Sequence, residues 1–388
     1  MEFYSLYKFE DMSSLDRKTP ELPEQSLVNK IACLMVNGIG DTICVTPAIE
    51  ALRQKYPDAE LTVIIRPRIV PLVSGNPNID DVIVYDTGNG VRKRLEFFVA
   101  LIQKRIDLWV DLHVPTFNTT SSNRRDYFRN SIMMRIARPV YRVGYAAPGL
   151  APYLTHPFPL PSDSAIKSEN IVTTTLALVN PDLSQKFSKH VTIGEQDRDW
   201  VNRNFRGNKN QRVVLFFGSE QPADLWPEYR IFELMRLLIQ ELPDCDFVVI
   251  GSAYEHNFSL SVNATVSQNG WNNVHNFIEK ASLSESAALI ESCDAFIGTD
   301  SGPMHIADAL DMPMVALMSS KNYIEIWQPV SANARVLNHP ISCGPCFLAE
   351  CPRHNECMAM ITPEEVITAL RRVIGHKRSM SAGEISPQ

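Results

Sequence analysis

Short, nearly unbroken apolar runs recur through this chain, and each is followed by a polar turn and a segment long enough to cross back over a sheet. "IACLMV" (31–36), "ELTVIIR" (60–66), the end of "VPLVSGNPNIDDVIVYD" (70–86) and "DLWVDLH" (107–113) mark the first half. "RVVLFFG" (212–218), "DFVVIG" (246–251), "DAFIG" (294–298) and "PMVAL" (313–317) mark the second. Runs apolar on both faces are strands covered on both sides. Intervening helical segments then dictate parallel sheets with crossover connections. The helices show the matching period: Ala48, Ile49, Leu52 and Tyr56 share one face, as do Ile231, Leu234, Leu238 and Leu242, and 92–106 reads as a basic amphipathic helix. Further helices are expected near 283–292 and 301–310.

A chain of 388 residues exceeds one ordinary core and fits two α/β domains. The predicted division is an N-terminal tail or arm over 1–26, a Rossmann-like domain over 27–190, a second over 191–375, and a flexible tail over 376–388. The join falls in the polar stretch near 185–210. With 37 Lys and Arg against 44 Asp and Glu, a net charge of −7, bulk electrostatic binding of nucleic acid is excluded. The apolar runs fall well short of the roughly 20 residues that span a bilayer, and no amphipathic membrane helix stands out. The first thirty residues lack the uninterrupted apolar region of a secretory signal, so a cytoplasmic location is expected. Cys33, Cys44, Cys245 and Cys293 sit in apolar settings and read as small buried hydrophobes.

Two turns carry chemistry. In "GTDSGPMHIADALDMPMVAL" (298–317) a strand runs into Thr299, Asp300, Ser301 and Gly302, with Pro303 and His305 in the first helical turn. A helix N-terminus beyond the carboxyl end of a parallel strand offers free N–H groups to an anion, and Gly302 permits close backbone approach. The alternative is that Asp300 or Ser301 is only a helix cap. "NGIGDT" (37–42) repeats the design with Gly40, Asp41 and Thr42. It is not a P-loop, and Ile43 stands where a dinucleotide fingerprint needs Gly or Ala, which disfavours an oxidoreductase. Asp41 is a cap or, at the rim of an inter-domain cleft, a general base, and these residues alone leave both open.

"NGIGDTICVTPAIEALRQKYPDAELTVIIRP" with "LVSGNPNIDDVIVYD", and "IGTDSGPMHIADALDMPMVALMSS" with "CGPCFLAECPRHNECMAMITPEEVITAL", together resemble the lipopolysaccharide heptosyltransferase family, glycosyltransferase family 9, over about residues 30–373. The resemblance implies a GT-B fold, two Rossmann-like domains facing across a cleft, with the acceptor on the first and a nucleotide-sugar on the second. It implies transfer of heptose from ADP-heptose with inversion, with no cofactor for the chemistry, to a glycan, protein or small-molecule acceptor. Peripheral association with the inner membrane is left open. It casts Asp41 as general base; Thr299, Asp300, Ser301, Gly302 and His305, with Ser219 and Glu255, on the donor side; and Gly40, Thr42 and His113 on the acceptor side.

One departure stands out. Where the family carries a basic residue shortly before a Trp-Pro, this chain has Asp224 before Trp226, an acid where a diphosphate is expected. Either another cation substitutes, Lys321 or Arg230, or the donor is a different nucleotide-sugar, or the chain binds nucleotide-sugar without turnover. The stretch 121–145 carries Arg124, Arg125, Arg129, Arg135, Arg138 and Arg142, either facing an anionic acceptor or forming a solvated helix face. Cys343, Cys346, Cys351 and Cys357 form a cluster whose composition suits structural zinc or iron, the alternative being reduced, packed thiols.

Overall fold

The computed structural model describes residues 20–86, 90–113, 121–147, 149–161, 167–180, 185–207, 209 and 211–383. Two six-stranded parallel sheets organise the chain, each half an α/β domain of the GT-B kind. The first holds β1 (Lys30–Met35), β2 (Glu60–Ile65), β3 (Asp81–Val84), β4 (Leu108–Asp111), β5 (Tyr141–Tyr145) and β6 (His156–Phe158), in the order β3-β2-β1-β4-β5-β6. The second holds β7 (Gln211–Phe216), β8 (Cys245–Val249), β9 (Val274–Asn276), β10 (Ala295–Thr299), β11 (Met314–Leu317) and β12 (Ala334–Leu337), in the order β12-β11-β10-β7-β8-β9. Both sheets start at the centre, wind outward one way, then reverse. The reversal leaves a crevice between β1 and β4 in one sheet and between β7 and β10 in the other, where ligands bind in open α/β sheets.

Connecting helices in the first half are α1 (Ile39–Cys44), α2 (Thr46–Lys55), α3 (Val70–Val73), α4 (Gly90–Gln103), α5 (Ser121–Ala137) and α6 (Ile171–Ala177). In the second they are α7 (Glu195–Asn204), α8 (Glu228–Glu241), α9 (His256–Asn269), α10 (Leu283–Glu291), α11 (Gly302–Ala309), α12 (Ile324–Trp327), α13 (Glu356–Ala359) and α14 (Pro363–Gly383). The pleat sorts the strand residues. Ile31, Cys33 and Met35 enter the large central core, whereas Ala32, Leu34 and Val36 enter the core beneath α4 and α5 with Phe97, Leu101 and Trp109. The outer strands β5, β6, β9 and β12 have no continuous apolar run because they are only partly buried, which is why periodicity marked four strands per half and the described residues form six.

The arm and the tail differ from expectation at their inner ends. Residues 1–19 and 384–388 lie outside the described residues, but Leu22 is buried, Tyr56 Oη donates to Pro23 O at 2.7 Å, and α14 continues through the expected tail to Gly383. The polar join is also structured. Its first part lies along the first half, where His190 N donates to Thr46 Oγ1 at 2.8 Å and Thr192 N to Leu72 O at 2.7 Å, and its second part is α7.

From that connector Lys189 reaches into the second half and pairs with Asp308 of α11 at 2.5 Å, both side chains almost fully buried. Asp308 also accepts from Val330 N and Ser331 N, so the buried charge is fully engaged. Beside this pair α1 packs on α11. A Cβ on Gly40 would lie 2.4 Å from the His305 ring, and one on Gly302 would lie 3.0 Å from Ile39. Two glycines facing each other's helices bring the N-termini of α1 and α11, and both chemical turns, together.

Candidate functional site

Two adjoining pockets occupy this junction. One of about 710 Å³ lies on the first half, lined by Asn37, Gly38, Asp41, Arg66, His113 and Asp126 among others. The other, of about 350 Å³, lies on the second and is lined by Ser219, Asp224, Asp300, Ser301, Gly302, His305 and Lys321. Gly38, Asp41, Arg68, Glu220 and Trp327 line both. Asp41 therefore stands at the boundary. Its Oδ2 accepts from Gly38 N at 3.0 Å, so it caps α1 while presenting a carboxylate to both spaces. Burial pushes its pKa up, the Gly38 N–H pulls it down, and the Glu220 charge raises it further.

The N-terminus of α11 opens on the second pocket, and Ser301 forms no side-chain capping bond. Pro303 has no N–H and Met304 N donates to Ser301 O at 3.0 Å, so the first turn offers a ligand the Gly302 N–H and the positive end of the helix. Asp300 beside them is pushed up to about 7, by burial first and then by the Asp224 charge, with Lys321 acting against both. His305 is held neutral, its pKa far below the ordinary value because it is buried. Its Nδ1 lies 3.4 Å from Cys44 Sγ and its Nε2 3.7 Å from Asp300 Oδ1.

Asp224 does not stand alone against this space. Lys321 Nζ bonds its Oδ2, Ser319 Oγ donates to its Oδ1 at 2.5 Å, and Lys321 Nζ also donates to Gln221 Oε1 at 2.5 Å. Asp224 and Lys321 are 7% and 4% exposed, so the acid is neutralised within the pocket wall. An ammonium has three donors and two are used here, which leaves one for a ligand. Arg230, the other cation considered, pairs with Glu233 on α8 and does not line either pocket. Lys321 arrives from the loop after β11, 97 residues from its partner, where no local pattern reveals the pairing.

The remaining residues sort by position. Ser219 lines the second pocket, its Oγ accepting from Gln221 N at 3.1 Å. Thr299 is fully buried and donates to Gly218 O at 2.8 Å, tying β10 to the end of β7. Glu255 stands over Gly218 and Gly251 at the ends of β7 and β8, with its Oε2 taking Ser252 N at 2.7 Å. Thr42 is buried and bonds Gly38 O at 2.9 Å. Gly40 packs on His305 as described.

His113 borders the first pocket. Its Nδ1 accepts from Asn37 Nδ2 at 2.7 Å, and burial brings its pKa down to about 4, so it is neutral and carries its proton on Nε2. Behind it Asp111, pushed up to about 6 by burial, accepts from His113 N and Asn130 Nδ2. Arg129 pairs with Asp126, Arg142 bonds the carbonyls of Tyr153 and Pro139, and Arg135 and Arg138 lie in a separate groove. The side chains of Arg124 and Arg125 lie outside the described residues.

The four cysteines of the cluster differ in exposure. Cys343 is exposed, Cys346 and Cys351 are half-buried, and Cys357 on α13 is packed into the core of the second half, where burial pushes its thiol up. Among the described residues no three His, Cys, Asp or Glu side chains form a group that would hold a metal ion.

Comparison with known proteins places the chain in a family. The model of glycosyltransferase family 9 (heptosyltransferase) matches residues 125–356. Lipopolysaccharide heptosyltransferase 2 of Salmonella typhimurium is 24% identical over 90% of this chain and 99% of its own length. The solved Escherichia coli ADP-heptose lps heptosyltransferase II superposes with a TM-score of 0.73 at 23% identity, over 90% of this chain and 99% of that one. Escherichia coli heptosyltransferase WaaC, solved with ADP-2-deoxy-2-fluoro heptose, gives 0.63 at 16% identity, over 88% and 99%.

Proposed function

The chain belongs to glycosyltransferase family 9 and is a glycosyltransferase; from that premise we propose that it transfers heptose from ADP-heptose, with inversion and without a metal in the chemistry, to a hydroxyl of a glycan acceptor. The observation that carries this reading is Asp41 lining both pockets. A base at that boundary takes the proton of an acceptor hydroxyl in the first pocket as the oxygen attacks an anomeric carbon presented from the second. Attack from the face opposite the leaving diphosphate inverts the centre.

The departing ADP gains negative charge, and the Gly302 N–H and positive end of α11 with Lys321 meet it in a site partly closed to water. These fixed positive groups supply the stabilisation otherwise expected of a divalent cation. Asp300, Ser301, Gly302, His305 and Ser219 form the donor wall, with Glu255 on the side of the nucleoside and Thr299 holding the strand ends behind it. Gly40 and Thr42 shape the α1 turn, and neutral His113 offers Nε2–H to the acceptor. The first half is the acceptor domain and the second the nucleotide-sugar domain. Asp224, which alone favoured a different donor or a binding protein without turnover, is accounted for by its pairing with Lys321.

Calorimetric titration in chelator tests the donor assignment. ADP and ADP-heptose are expected to bind, and UDP-glucose and GDP-mannose to bind at least tenfold more weakly, roughly the margin of one or two lost polar contacts. Preference for another nucleotide would overturn the assignment. The same titration has a predicted pH dependence. A bound diphosphate beside Asp300 favours its protonated form, so the complex takes up a proton and affinity rises as pH falls toward about 7 and levels off below it, by at most about tenfold per unit. The diester diphosphate of a nucleotide-sugar does not itself titrate there, and Asp300→Asn should flatten the profile.

A further inference from the structure

Cys44 reads from the sequence as a small buried hydrophobe, and its burial is complete. The fold also gives it polar company. From α1 in the first half its Sγ meets Nδ1 of His305 on α11 in the second, at 3.4 Å and across 261 residues of sequence. Lys189, on the connector between the halves, bonds Asp308 and also hydrogen-bonds this thiol. Burial pushes the Cys44 thiol up to about 11 although Lys189 pulls the other way, so the sulfur keeps its proton at neutral pH.

Where that proton points decides what His305 offers the pocket. An ammonium has donors and no acceptor, so the sulfur meets Lys189 with a lone pair. His305 is neutral, burial and the nearby Lys189 charge both opposing a second proton, and it carries its single N–H on one of two nitrogens. With the proton on Nδ1, the ring and Lys189 would both donate to one weak sulfur acceptor. The bare Nε2 would then face Asp300 Oδ1 at 3.7 Å, and above its pKa of about 7 Asp300 has no proton to give it. With the proton on Nε2, the Cys44 S–H donates to Nδ1 and an N–H turns toward the carboxylate. Both ends of the ring select the same tautomer.

We propose that Cys44, oriented by Lys189, is a positioning residue that fixes His305 in the Nε2–H tautomer and so gives the donor wall a hydrogen-bond donor. The inference deepens the heptosyltransferase reading and rests on it for the identity of the ligand. At 3.7 Å the Nε2 and Asp300 are neighbours without a hydrogen bond, so an oxygen of a nucleotide-sugar entering the second pocket is free to accept the proton. The other tautomer would meet that oxygen with a lone pair. The ring itself is held by packing, against Gly40 on one side and edge-on to Trp327 at 6.4 Å between centroids, which leaves the thiol to decide where the proton sits. A histidine of the second half is thus set by Cys44 of the first half and by the connector, and donor recognition depends on the two halves being packed together.

Nitrogen NMR of the full chain, labelled at histidine, reads the tautomer of the free protein without ligand or turnover, so its failure is distinct from failure of the heptosyl reading. The His305 signals are those lost in His305→Asn, and the parent should carry the proton on Nε2. Cys44→Ala removes the S–H with little change in shape; it should leave a mixture of tautomers and raise the ADP-heptose Kd and donor KM by about three- to tenfold, the range for one hydrogen bond, with acceptor KM unchanged. Cys44→Ser keeps a donor and should restore both the tautomer and the affinity. Lys189→Met with Asp308→Asn, which removes the cation without stranding its carboxylate, should again mix the tautomers. A parent ring protonated on Nδ1, a Cys44→Ala ring with the parent's tautomer, or a shifted tautomer that leaves donor affinity unmoved would overturn the proposal. So would Cys44→Ser behaving as Cys44→Ala does, which would make Cys44 a packing residue only.

Discussion

Asp41→Asn is expected to lower turnover by about 10²–10⁴-fold, the range for loss of a positioned general base, while leaving donor affinity nearly unchanged. Asparagine keeps an oxygen for the Gly38 N–H that Asp41 now binds at 3.0 Å, so the α1 cap and the fold persist. What disappears is the group that takes the acceptor proton. The parent enzyme should show a rate rising with pH as Asp41 ionises, displaced above the usual carboxylate range because burial and Glu220 oppose the charge. That limb should be absent in the residual activity of the variant. Stopped-assay kinetics over a pH series, with donor affinity measured separately, distinguish this from a binding defect; unchanged turnover would remove Asp41 from the chemistry.

Lys321→Met should be costly in two ways that can be separated. It leaves Asp224 buried without its cation, and breaking a buried pair typically costs about 3–5 kcal/mol of stability. It also removes the charge nearest the donor wall, so ADP affinity should fall by roughly 10- to 100-fold, as for loss of a charge-assisted hydrogen bond. Because Lys321 restrains Asp300, the carboxyl there should titrate still higher in the variant. Adding Asp224→Asn should recover most of the stability and none of the affinity. Asp224→Lys with Lys321→Ser, which moves the cation across the pocket to the position before Trp226, should recover both in part. If Lys321→Met with Asp224→Asn bound ADP as tightly as the parent, Lys321 would not be the diphosphate cation.

What the sequence revealed and what it hid follow from range. Asp41 and Asp300–His305 were visible because strand, turn and helix are consecutive, and the free helix mouth is a local property of "DSGP". The continuous runs of β1, β2, β7 and β8 announce strands buried on both faces. The half-buried β5, β6, β9 and β12 do not. Asp224 looked like a defect because its partner lies 97 residues away, and the Lys189–Asp308 tie spans 119. Neither is a pattern; both are consequences of two sheets folding toward each other.

The central claim is tested most directly by incubating the purified chain, in chelator, with ADP-heptose and lipopolysaccharide core oligosaccharides as glycan acceptors, and reading ADP release together with the anomeric configuration of the product by NMR. The account predicts stoichiometric ADP and a single new glycosidic linkage of configuration opposite to the donor. A product of retained configuration, or transfer that appears only when a divalent metal is restored, would contradict it.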